Sequence, residues 1–247
     1  MDKEDDLTRT FKYAKEFYLK RLGLIIVFSV PFILAFLIPI LVPAPTYLAL
    51  GGVFLRTGSL PELSILDIVI TALAYAFGMF IMGDTIVNIN IIIRSKRTLT
   101  SIRYEVLNAM GTYAMRIFYI STMFLLIMFI LQLLTYDNPL QPWIYPLAIL
   151  ALSFLLFFVP PAVVIDNSDT PTAIRRSVAM AVQNPHFVML WTVLLLLSVS
   201  VVKMGADLVF ASPFSGFFVL LVNCLLILPF FTVVQTQMYM EKYPLAR

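Results

Sequence analysis

Residues 114–135 read AMRIFYISTMFLLIMFILQLLT, with Arg116 as the sole charge. A bilayer core of about 30 Å is crossed by roughly 20 apolar residues of helix at about 1.5 Å per residue. The stretch meets that length without interruption and is too long and too continuous for an alternating barrel strand. It reads as a transmembrane helix. Outward from it lie comparable apolar runs at about 23–43, 65–92, 143–165, 186–209 and 214–237, which brings the expected spans to six.

Composition agrees with that reading. Of 247 residues 61% are hydrophobic and 13% charged, whereas soluble domains carry about 25% charged residues. Soluble globular, disordered, collagen-like and disulfide-rich classes are excluded. The net charge of +3 is modest and gives no reason to expect nucleic acid as a partner. Cys224, the only cysteine, sits among Leu221, Val222, Leu225 and Leu226 and is expected to be a small buried hydrophobe. The chain opens with the acidic Met1-Asp2-Lys3-Glu4-Asp5-Asp6 and its first apolar run begins at Gly23. A signal peptide would open with a basic region, so the first run is expected to stay in the protein.

The basic residues fall almost entirely on one side of the six spans. Lys3, Arg9, Lys12, Lys15, Lys20 and Arg21 precede span one, and Arg94, Lys96, Arg97, Arg103 and Arg116 join spans two and three. Arg175 and Arg176 join spans four and five, Lys242 and Arg247 follow span six, and only Arg56 and Lys203 are left for the opposite face. The positive-inside rule then places both termini in the cytoplasm, in a multi-pass protein of the cell membrane.

Each cytoplasmic approach to an odd-numbered span carries an amphipathic segment, at about 7–22, 98–112 and 171–184. In the third, Ile174, Val178, Ala181 and Val182 recur at helical spacing while Arg175, Arg176 and Gln183 project elsewhere. Thr170 suits its N-cap, Pro171 its first helical position, and Asn184-Pro185 closes it. Leu99, Ile102, Val106, Met110 and Tyr113 form the second stripe, and Leu7, Phe11, Ala14, Tyr18 and Leu22 the first. Aligning Phe11-Lys12-Tyr13, Ile102-Arg103-Tyr104 and Ile174-Arg175-Arg176 gives a recurring unit. The expected fold is all-α, with six transmembrane helices arranged as three elbow-plus-hairpin units. The elbows are expected at the membrane interface with their apolar faces in the acyl boundary. Lys12, Lys15, Arg94, Lys96, Arg97, Arg103, Arg175 and Arg176 would then face anionic headgroups, each worth about 1 kcal/mol near the surface. The alternative is that the elbows are loop helices packed on the bundle.

The run Val159-Pro160-Pro161-Ala162-Val163-Val164-Ile165-Asp166-Asn167-Ser168-Asp169-Thr170-Pro171-Thr172-Ala173-Ile174-Arg175-Arg176-Ser177, leading to Asn184-Pro185, resembles a set of uncharacterised six-helix membrane proteins of bacteria and archaea. That set includes the membrane domain attached to some glycerophosphodiester phosphodiesterases. The shared motif is a membrane helix end, an acidic or polar turn, then an alanine, a basic residue and a serine on an amphipathic elbow; outside it the likeness rests on topology. The resemblance implies a fold, and a membrane module near lipid chemistry. In those proteins catalysis belongs to a separate soluble barrel for which this chain has no room, so no catalytic residue is carried over.

The residues themselves offer little chemistry. With one His and one Cys, a zinc site of ordinary composition is not expected, nor is any cofactor. His186 is expected at the water interface. No phosphate-binding Gly-rich loop, Gly-x-Ser-x-Gly or His-Glu-x-x-His occurs, and Gly51-Gly52 suits a turn or a shallow re-entrant piece. Asp84 is the exception. It lies ten residues before Arg94, roughly 15 Å along a continuous helix, and an intramembrane carboxylate prompts a functional hypothesis. Asp84, Thr85 and Asn88 could form a cation or proton site. Alternatively Asp84 belongs to a polar seam, paired with Arg116; the seam is favoured because no second membrane carboxylate completes a relay. Lys203 and Asp207 suit a helix-face pair, and Ala72, Ala76 and Gly83, beside Ala74 and Gly78, suit close helix packing. Pro160-Pro161 is expected to bend or end span four, and Pro31 and Pro39 to kink span one.

The sequence thus points to a non-catalytic multi-pass membrane protein: a scaffold, a lipid-interacting module or a subunit of a larger complex, with membrane lipids and other membrane subunits as partners. The rival is a small transporter or permease with an ion or solute site near Asp84 and Asn88. An enzyme acting on lipid would need a polar cluster that the sequence does not show.

Overall fold

The computed structural model describes residues 3–41, 65–98, 106, 109–136, 138–211 and 214–242. All its regular structure there is helical: α1 Lys3–Lys20, α2 Leu22–Leu41, α3 Ile65–Thr98, α4 Met115–Leu134, α5 Gln141–Leu155, α6 Val159–Ile165, α7 Thr170–Gln183, α8 Pro185–Val209, α9 Phe214–Val222 and α10 Leu228–Lys242. A π-turn at Met110–Ala114 leads into α4, and another at Asn223–Ile227 joins α9 to α10.

Among the described residues, five helical runs are long and apolar enough to cross a membrane: Ala72–Ser95, Gly111–Leu134, Gln141–Ile165, Pro185–Val209 and Phe214–Glu241. The bent pair Thr8–Lys20 and Leu22–Ile38, whose axes meet at 89°, makes a sixth when counted as one span. The protein is an all-α polytopic membrane protein. Its outer surface fits that environment, since Leu126, Phe129 and Leu134 on α4 and Leu196, Val201 and Leu208 on α8 are all exposed. In lipid such a surface has nothing to hide from.

Several boundaries differ from expectation, each for a physical reason. The helix of span two runs on past residue 92 to Thr98, because Arg94 is held inside the bundle. Pro31 and Pro39, expected to kink span one, both lie within α2. Of the small residues expected to admit a close neighbour, Gly83 does so, since a Cβ there would lie 3.3 Å from Ile117 Cγ2; Ala74 and Gly78 are buried, and Ala72 is exposed.

The elbows also depart from the sequence reading. In α1, Ala14 and Tyr18 are buried as the stripe requires, but against α10 rather than lipid. In α7 the buried residues are Ala173, Ser177, Met180 and Ala181, one position round from the expected stripe, and Val182 is 61% exposed. The N-cap is Asp169, with Thr170 already helical. These two elbows are therefore packed on the bundle. The second elbow lies mostly outside the described residues.

Why α7 is held so tightly follows from span four. It breaks at residues 156–158, between α5 and α6, one turn before the prolines expected to bend it. Proline lacks an N–H and its ring collides with the carbonyl four residues back, so Pro160 and Pro161 disturb Leu156 and Phe157. The freed groups find partners elsewhere. Val159 N–H turns to Leu156 O at 3.0 Å, while Phe157 O accepts from Gln235 Nε2 of α10 at 2.5 Å. Ser177 of α7 does two jobs, accepting from Phe158 N–H at 2.9 Å and donating to Leu155 O at 2.7 Å. Both Ser177 and Phe158 are fully buried.

Ser177→Ala should leave one buried N–H and one buried carbonyl unpaired and lower the unfolding free energy by about 2–4 kcal/mol, measured by denaturant titration in micelles. Gly83→Leu should force α3 from α4 at Ile117 and cost about 1–3 kcal/mol through overpacking, read in the same titration.

Candidate functional site

Arg94, Arg116 and Arg176 gather near the ends of α3 and α10 and the starts of α4 and α7. Their first role is internal. Arg94 donates to Tyr113 Oη and to Val164 O, each at 2.8 Å, and its guanidinium lies 5.8 Å from the Tyr113 ring centre. Arg116 stands at the same distance from that ring and donates through Nη1 to Ser168 O at 2.9 Å and to Asn167 Oδ1 at 3.4 Å. Asn167 adopts a positive φ of 50°, a left-handed conformation that Asn accepts more readily than most residues. The turn from α6 to α7 is thus pinned from α4.

Asp166 anchors the other side of this turn. One of its oxygens, Oδ2, accepts from Arg176 Nη1 at 2.5 Å and from the Tyr239 hydroxyl of α10. Burial draws the Arg176 guanidinium down, but the Asp166 carboxylate beside it holds it above its ordinary value. Glu241 on the last turn of α10 accepts from Arg9 at 3.1 Å and from the Thr10 hydroxyl, which ties α1 to the same end. Deeper in, Thr236 donates to Asn90 Oδ1 at 2.6 Å, joining α10 to α3.

Two apolar grooves flank α4 above this polar end. The larger, about 430 Å³, opens between α3, α4 and α5, with Tyr75, Met79, Met82 and Ile117 on its walls and Pro160 at its base. The smaller, about 260 Å³, lies between α4, α5 and α7, and receives Met123, Ile127, Leu152, Ile174 and Val178. Ile120, Phe124 and Leu156 line both. Arg116 precedes Ile120 by four residues, so it stands one turn beyond the grooves on the same face of α4. Arg175, next to Ile174, is exposed.

The expected intramembrane set does not assemble as a group of four. Asn88 Nδ2 donates to Asp84 Oδ2 at 2.9 Å, which brings that pair together. Thr85 turns back to its own helix, donating to Ile81 O at 2.8 Å. Arg116 is engaged with the α6–α7 turn, so the Asp84–Arg116 pairing is corrected: the second Asp84 oxygen, Oδ1, has no partner among the described residues.

The expected headgroup-facing set divides similarly. Lys12 and Lys15 are exposed on α1, as is Arg175 on α7. Arg94 and Arg176 instead serve the bundle, because buried carbonyl, phenol and carboxylate groups need their protons more than the surface does. Arg103 and the side chains of Lys96 and Arg97 lie outside the described residues. Lys203 and Asp207 pair at 2.5 Å as their spacing suggests. Sequence reading missed Ser177, Gln235, the Asn90–Thr236 bond and the Asp166–Tyr239 bond. A polar residue inside an apolar stripe, as Ser177 is, was the available signal.

No family model, curated protein or solved structure matches the chain. Fold and site geometry therefore define its class: an all-α multi-pass membrane protein with a polar, arginine-bearing end and lateral apolar grooves.

Tyr239→Phe should remove the α10 donor to Asp166 and lower stability by about 1–2 kcal/mol. Asp166→Ala, which also strips Arg176 of its carboxylate, should cost about 2–3 kcal/mol and loosen the turn, visible as faster amide exchange at 166–169.

Proposed function

We propose that the protein is a non-catalytic module of the cell membrane that binds anionic phospholipid along α4, with its basic end in the cytoplasm. The observation that carries this reading is the register of Arg116 with the grooves. An acyl chain laid beside Ile120 and Phe124 ends its path, one turn on, at a guanidinium whose described bonds use Nη1 alone. Nε and Nη2 are then available to a phosphate, which guanidinium groups engage in bidentate fashion. The exposed Arg175 supplies a second positive charge beside the smaller groove. Ile174 and Val178 of the elbow, half-buried on the bundle, become a wall for lipid.

The resemblance of 159–185 to the membrane domain attached to some glycerophosphodiester phosphodiesterases supports the same assignment, since it links this motif to lipid-associated modules. A binding role fits an arginine, Arg116, whose acceptors in the bundle are the neutral Ser168 O and Asn167 Oδ1. Cytoplasmic placement of the basic end follows from the one-sided distribution of Lys and Arg.

Native mass spectrometry after a delipidating wash should find wild type retaining an anionic phospholipid in preference to a zwitterionic one. Arg116→Gln combined with Arg175→Gln should reduce that retention at least five-fold. Ser153→Trp, which fills the larger groove from α5, should reduce it without touching either arginine. Equal retention by all three, or no preference among headgroups, would exclude the lipid site. Retention of a second protein in place of lipid would favour a scaffold.

A further inference from the structure

Among the described residues, Asp84 Oδ1 and Asn88 Oδ1 are buried without a hydrogen-bond partner, and they belong to one pair. The amide of Asn88 already donates to Asp84 Oδ2 at 2.9 Å, and Asn88 is 7% exposed. Both remaining oxygens are acceptors in the ionised form, so neither can satisfy the other. Leaving such groups unpaired in a dry interior costs about 1–3 kcal/mol each, and more where one is charged.

A single proton resolves both deficits. Placed on Asp84 Oδ1, it makes that oxygen a donor to Asn88 Oδ1, while Asn88 Nδ2 continues to donate to Asp84 Oδ2. The two groups then close a cyclic carboxylic acid–amide pair with no net charge. We infer that Asp84 and Asn88 form an intramembrane proton-binding site, occupied at neutral pH. The proton comes from water and no other reactant is required.

The surroundings favour a proton over a metal cation. Calcium and magnesium take six or more oxygen ligands, whereas this pair offers two unpartnered oxygens, and no group of three or more His, Cys, Asp or Glu side chains that could hold a metal occurs among the described residues. Nor does a neighbouring charge hold Asp84 ionised. Of the elements packed against α3, α2 and α6 carry no titratable side chain. Arg116 of α4 is bonded to the α6–α7 turn and Tyr119 is exposed; Tyr113 of the π-turn is bonded to Arg94. On α10, Tyr239 is bonded to Asp166 and Glu241 to Arg9, with Lys242 at the helix end. Arg94 and Asp67, on α3 itself, lie about 15 and 25 Å away along the axis.

This site is independent of the lipid reading. Asp84 lies roughly 160° around α3 from Met82 of the larger groove, and the test uses neither arginine.

The test is infrared difference spectroscopy of wild type against Asp84→Asn in phosphatidylcholine vesicles, in H₂O and D₂O, from pH 5 to 9. At pH 7 the difference should hold a protonated-carboxyl C=O band that shifts on deuteration. In Asn88→Leu that band should move to higher frequency, because the acid loses its amide partner. An ionised carboxylate signature at pH 7, or a signal that follows sodium or potassium rather than pH, would overturn the proposal. So would a carboxyl band that Asn88→Leu leaves in place. Should Asp84→Asn fail to assemble, wild type and Asn88→Leu labelled with ¹³C-carboxyl aspartate give the same comparison.

Discussion

A membrane-spanning helix normally satisfies its own backbone, and consecutive prolines forbid this in span four. Pro160 and Pro161 withdraw two amides from a region where water cannot replace them. The bundle answers from two directions: Ser177 reaches the break from α7 and Gln235 reaches it from α10. This requirement explains why α7 lies against the bundle and why its buried face carries a serine. It also fixes the approach of α10. Around the break, Phe157 and Phe158 meet edge to face, Phe157 meets Trp191, and Trp191 meets Phe231, while the indole N–H donates to Phe231 O at 2.8 Å. The indole thereby draws α8 to a bundle that otherwise buries little of it.

The arginines extend the same logic. In low dielectric a guanidinium must be surrounded by acceptors, and the end of α6 with the turn after it presents them: Val164 O, Ser168 O, Asn167 Oδ1 and Asp166. Residues that the positive-inside rule counts only as charges are thereby divided. Arg94, Arg116 and Arg176 shape the polar end, and Lys12, Lys15 and Arg175 stay at the surface. A basic end with this construction places fixed positive charge at the foot of the lateral grooves.

Much of the fold was legible because membrane spans are written in length and composition, as 114–135 shows. The first and third elbows were legible from periodicity, although the cap of the third fell one residue earlier than its hydroxyl suggested. Their orientation was not, since a stripe such as Ile174, Val178 and Val182 says only that a face is apolar, and lipid and protein both accept apolar faces. Tertiary polar demand selected the neighbouring face, where Ser177 sits. Asp84 and Asn88 could be paired from their spacing of four. Arg116 could not be placed, because its acceptors come from a turn fifty residues away in sequence whose left-handed Asn167 no pattern announces.

The bond from Thr10 to Glu241 spans 231 residues. At a synthesis rate of 5–20 residues per second, the first helix waits roughly 12–46 s for that carboxylate. Until then Ala14 and Tyr18 of α1 have no α10 to cover them, and Phe157 O has no Gln235. The nascent bundle is therefore open at its break and at α1 at once, and both close when α10 arrives. Burial of α1 thus waits on the synthesis of α10, so a product lacking the end of α10 would show the cell's quality-control machinery an uncovered amphipathic helix.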